Sequence, residues 1–133
     1  MPPTTFILEK PVKRDWTIIR ALLLALEEAN TPNAIVRAKD LKQFPEQEVA
    51  YTIRLLHEAG HIEAIYQESR SGDGSINSAI ARRLTNPGHE LLDSIRSDKV
   101  WHKIQEKFKT SGLEMTFDLV IMVSKKIMES LLQ

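Results

Sequence analysis

The chain has 133 residues, 42% of them hydrophobic and 27% charged, with 18 Lys plus Arg against 18 Asp plus Glu and no cysteine. One domain with a real apolar core fits those figures; a disulfide scaffold, a thiolate metal centre, a cysteine nucleophile and a uniformly basic nucleic-acid binder do not. The apolar run Ala21 to Leu26 falls far short of the roughly 20 residues that span a bilayer, and Met1 to Pro11 lacks the apolar stretch of a signal peptide, so a cytoplasmic protein with no membrane partner is expected.

Residues 1–11, with Pro2, Pro3 and no periodicity, read as a flexible lead-in. A first helix is predicted from about Asp15, whose charge suits a helix N-terminus, to Ala29. Its stripe of Trp16, Ile19, Leu22, Leu23 and Leu26, widened by Ile18 and Leu24, makes it a central core element. Asn30 to Asn33 around Pro32 is a turn cluster. Ile35 and Val36 favour a strand while Ala38 to Gln43 fits a short helical turn; a short strand followed by a loop is the expectation. Pro45, Glu46 and Glu48 open a helix that buries Val49, Ile53 and Leu56 and that Gly60 ends.

Ile62 to Gln67 alternates as a strand does, Ser69 to Ser75 carries the turn residues Gly72, Asp73 and Gly74, and Ile76 to Leu84 reads as the returning strand of a hairpin. Thr85 can cap the next helix, with Pro87 in its first turn and Leu91, Leu92 and Ile95 inward. A further helix carries Val100, Trp101, Ile104 and Phe108, which at helical spacing are core rather than a base-stacking platform. After Ser111 and Gly112 a last helix runs from about Thr116 to Leu132, with Phe117, Val120, Ile121, Ile127, Met128 and Leu131 on one broad face.

Helix, short strand, helix, hairpin, then further helices is the order of a winged helix without its second helix. The expected fold is therefore α+β and mostly helical: a winged-helix-like core over 12–96, followed by C-terminal helices over 97–133 in the same domain. The chain also resembles an uncharacterised family of bacterial and prophage proteins, a domain of unknown function. The resemblance rests on Lys13-Arg14-Asp15, on Glu48-Val49-Ala50-Tyr51, on Leu55-Leu56 with Glu58-Ala59-Gly60, and above all on the block from Arg83-Leu84-Thr85 through Gly88-His89-Glu90 to Trp101. It implies a small winged-helix-like fold in a phage-related setting and brings no catalytic residues with it.

His57-Glu58-Ala59-Gly60-His61 spells H-E-x-x-H, but a zinc protease needs both histidines on one continuous helix, and Gly60 interrupts it. His89, Glu90 and Asp93 gather an imidazole and two carboxylates near a helix start with no nucleophile nearby, and Gly72-Asp73-Gly74 lacks the lysine of a phosphate loop. No enzyme, metal or cofactor is expected.

The neutral sum divides unevenly along the chain. Between Phe44 and Ser69 stand Glu46, Glu48, Glu58, Glu63 and Glu68 against Arg54 alone, the wrong sign for a helix entering a phosphate-lined groove. Arg70, Arg82 and Arg83 face only Asp73 along the hairpin, and Lys13, Arg14, Arg37, Lys39 and Lys42 add a second basic group in the first part of the chain. Double-stranded DNA is thus one expected partner, met by Gln47, Tyr51 and Arg54 on the helix and by Arg70, Arg82 and Arg83 on the wing. A host or phage protein docking on the acidic helix is the alternative. Leu119, Met122 and Val123 lie outside the main stripe of the last helix and point to a homodimer contact.

Overall fold

A computed structural model describes residues 14–29 and 31–133; the lead-in expected over residues 1–11 lies outside them. Helix α1 spans Trp16–Glu28, and Asp15 caps it by accepting from the backbone N–H of Thr17 at 2.9 Å and of Ile18 at 3.2 Å. Ile18, Ile19, Leu22 and Leu23 are all but fully buried, so α1 is the central element that its stripe predicts. Each such side chain contributes roughly 1.5–3 kcal/mol by leaving water.

The segment after α1 holds strand β1, only Val36–Arg37, and one 3-10 turn over Ala38–Asp40. That turn stands where a second helix would be. Helix α2 spans Glu46–Glu58, and Pro45 takes the extended conformation before its first turn rather than lying within it. The N–H of Gly60 donates to the His57 carbonyl and that of His61 to the Leu56 carbonyl, with Gly60 at φ 84°, a left-handed exit that favours glycine.

Strands β2, Ile62–Glu68, and β3, Ile76–Leu84, form the hairpin, and the sheet order is β1-β3-β2 with both pairings antiparallel. Val36, Ala81 and Ala64 share a row and turn inward onto α1 and α2. Arg37, Ile80 and Ile65 share the next row and turn outward, and Ile65 is 58% exposed.

Three helices follow: α3, Asn86–Ile95, α4, Asp98–Ser111, and α5, Phe117–Leu132. Thr85, Ser97 and Thr116 cap them in turn by accepting from the N–H three residues on. One continuous apolar cluster runs from Trp16 to Ile127, so these helices complete the same core as α1. Trp16 lies at its seam, 6.1 Å from the Trp101 ring and 5.4 Å from Phe117, with its indole N–H donating to the Met115 carbonyl at 2.8 Å. The chain is thus an α+β domain, mostly helical, in a helix–strand–helix–hairpin arrangement with three C-terminal helices.

The broad apolar face of α5 is used differently from its sequence reading. Helix α5 packs against both α3 and α4, so Leu119 and Val123 are half-buried within the chain's own core. Met122 is 48% exposed and Leu131, expected inside, is 42% exposed. A helix held from two sides needs a wider apolar face than one held from a single side.

Candidate nucleic-acid interface

The sheet register decides which cations reach solvent together. Between Glu63 and Ala64 the pairing with β3 shifts, from Glu63 opposite Arg83 to Ala64 opposite Ala81, so Arg82 is an extra residue in a β-bulge. Ala81 and Leu84 are both buried, and the bulge between them leaves two consecutive arginines on the outer face. Arg37, two positions along on the neighbouring strand opposite Ile80, turns to the same side. Strict alternation along a strand would have hidden one of the two arginines.

Charge pairing then separates these cations. Arg83 donates to Glu63 at 2.6 Å, and each partner holds the other charged: Glu63 titrates below its usual range and Arg83 above its own. Arg37, Arg70 and Arg82 are exposed and make no ion pair among the described residues, and Lys39 and Lys42 are likewise unpaired on the segment after β1. Arg70 sits at the hairpin tip, roughly 20 Å of strand beyond Arg82. The outer sheet face and its β1 border therefore carry uncompensated positive charge.

The helix residues picked out by sequence are placed differently. The Gln47 side-chain amide donates to the Ile76 carbonyl at 2.6 Å and accepts from the Ile76 N–H at 3.0 Å, closing both of its hydrogen-bonding ends onto the start of β3. Gln47 thus ties α2 to the hairpin. Arg54 lies over the Tyr51 ring at 5.2 Å, with Glu58 and Glu68 each 3.8 Å away, so its charge is spent among its own neighbours. Glu46, Glu48 and Glu58 are exposed on the same helix, whose outward surface is consequently acidic.

The two histidines of the H-E-x-x-H stretch part company at Gly60. His57 is exposed and packs edge-on to Tyr66 at 5.8 Å, whereas His61 is buried against Phe117 at 4.7 Å. No cluster of three His, Cys, Asp or Glu side chains placed to hold a metal occurs among the described residues. Asp93, one turn after His89 on α3, pairs with Arg96 at 2.9 Å, and Arg96 also pairs with Glu27.

Burial pushes His61 below its ordinary value of 6.5, against weaker favourable effects of the Pro87 carbonyl and the Asp118 charge on the protonated form. The unfolded chain therefore takes up this proton first as pH falls. Stability should be fully present above about pH 6.5 and decline below it, down to the lowered value of the folded state. Urea melts of the wild type and of His61→Phe between pH 7 and 5 check this: the variant's stability should fall less steeply, and equal slopes would contradict the assignment.

A helix–strand–helix–hairpin domain with an acidic second helix and a basic outer sheet is the class that the fold and this surface define. The chain belongs to the family described as "Hypothetical protein (DUF2513)", which it matches over residues 13–114. It is also 36% identical, over 121 residues, to a protein of Haemophilus influenzae described as an uncharacterized protein; the match covers 91% of this chain and 99% of that one. No solved structure matches it. Among the described residues no helix is long and apolar enough to cross a membrane.

Proposed function

We infer that the chain is a non-catalytic, winged-helix-type protein that contacts the backbone of double-stranded DNA with the outer face of its hairpin and the β1 border, not with α2. The observation that carries this reading is the bulge that turns Arg82, which makes no ion pair among the described residues, outward beside the likewise unpaired Arg37. Arginines on a twisted hairpin match phosphates at several points, and phosphate contacts position a protein on a duplex without reading its sequence. The acidic surface of α2 repels the same backbone, which keeps the helix out of the major groove and leaves the hairpin as the leading edge. Regulation through such contacts fits a small domain whose Gln47 and Arg54 on α2 are engaged by intrachain partners.

Anisotropy titrations of a labelled duplex of about 20 base pairs test it. The wild type should bind with an affinity that falls steeply with salt, and Arg37→Ala with Arg82→Ala should flatten the logarithmic salt slope by about 2 and weaken binding to all sequences alike. A variant slope equal to that of the wild type, or no duplex binding at low salt, would remove the reading.

One observation favours a second reading. Glu46, Glu48 and Glu58 make α2 an exposed acidic surface on which a basic segment of a partner protein could dock. Reversing Glu46 and Glu48 to Lys would abolish such an interaction while leaving, or strengthening, binding to duplex.

A further inference from the structure

Helices α4 and α5 border an open groove of about 760 Å³ on the side of the domain formed by its C-terminal helices. Its floor is the row Val123, Ile127 and Leu131, spaced four residues apart along α5 and therefore stacked on one face over roughly 12 Å. Leu131 is 42% exposed at the end of that row, so apolar surface continues out of the core into solvent.

The rim has one dominant sign. Lys103 and Lys107 flank the groove from α4 and Lys126 from α5, with Glu106 the acidic residue among the lining side chains. Lys99 extends the α4 row, so Lys99, Lys103 and Lys107 repeat at intervals of four, and none of them, nor Lys126, makes an ion pair among the described residues. Like charges four apart on a helix oppose its formation. Here they border an apolar trough about two helical turns long, the dimensions of a helix-in-groove site. Phosphate needs no apolar floor, and a purely apolar partner would leave the lysines uncompensated.

We propose that this groove docks an acidic amphipathic helix of a partner protein, with its apolar stripe on Val123, Ile127 and Leu131 and its carboxylates against Lys103, Lys107 and Lys126. This site is separate from the sheet face assigned to DNA and does not depend on that assignment.

The probe is a synthetic peptide of about 15 residues with Leu at i, i+4 and i+7 and Glu along the flanks, titrated against the full chain by anisotropy. Its scrambled counterpart has the same composition. The helical pattern should bind about tenfold more tightly than the scramble, and both Lys103→Glu with Lys107→Glu and, separately, Leu131→Asp should weaken it about tenfold. These residues are exposed or at the rim, so unchanged melting temperatures are expected to accompany the loss. Equal binding of peptide and scramble would reduce the site to non-specific charge and overturn the proposal, as would variants that bind like the wild type. A duplex that binds more tightly than the peptide and is lost in the same lysine variant would make the groove a nucleic-acid surface instead. A dimer in sedimentation that Leu131→Asp disperses would mean that a second copy fills it, and would equally overturn the proposal.

Discussion

Gly88→Ala is expected to remove about 3 kcal/mol or more of stability and to lower the melting temperature by roughly 10 °C. A Cβ at this position would lie 1.9 Å from the carbonyl oxygen of His61, and its obstacle is backbone that no rotamer change can move. The close approach is part of a latch between the α2 exit and the α3 entry. The Thr85 N–H donates to the same His61 carbonyl at 3.0 Å, the Thr85 hydroxyl donates to the Gly60 carbonyl at 2.5 Å, and the Gly88 N–H donates to the Thr85 hydroxyl at 3.2 Å. Pushing α3 away to admit a methyl group would strain or break all of these. Gly60→Ala is the fitting comparison, because Gly60 has a left-handed φ but open space around it and should cost only about 1–2 kcal/mol. Calorimetry of the two variants decides the matter. A smaller loss at Gly88 than at Gly60 would mean that the latch yields easily.

Arg20→Ala should cost about 2–3 kcal/mol, and Arg20→Lys should recover little of it. The Arg20 guanidinium donates to the carbonyls of Ile95 and Arg96, each at 2.7 Å, and lies 5.9 Å from the centre of the Trp101 ring. Those carbonyls belong to the end of α3, where a helix leaves its last acceptors without partners and carries partial negative charge. A single planar cation from α1 thus closes the junction between α3 and α4. Its contact with Asp98 at 2.6 Å adds less, since Asp98 is almost wholly in water. Lysine presents one point charge and cannot span both carbonyls. Chemical denaturation of the two variants checks the expectation; a loss under about 0.5 kcal/mol in Arg20→Ala would show that the junction is held by apolar packing alone.

The elements that could be read from sequence are those whose signals are local. Asp15 and Thr85 bond to N–H groups within three residues, Gly60 ends its helix through its own φ, and the hairpin follows from alternation on either side of a glycine-rich turn. The interface depends instead on long-range pairing. Gln47 looks like a base reader by its helical position, yet its partner Ile76 lies 29 residues away and nothing local announces it. The bulge that brings Arg82 and Arg83 to one side is a property of how β3 pairs with β2, invisible in either strand alone. Likewise, Leu119 and Val123 look like part of a surface for another chain until α3 and α4 are found against α5 from two sides. The lysine spacing on α4 was present in the sequence all along, but only the groove beside Val123, Ile127 and Leu131 gives it a consequence.

A nitrogen–proton NMR titration of the labelled chain with a short duplex asks most directly which surface meets DNA. Amide shifts should concentrate at Arg37, Lys39, Arg70, Arg82 and their strand neighbours and fade as salt is raised. Shifts centred on Glu46–Glu58, or none at any site at low salt, would contradict a hairpin-led contact.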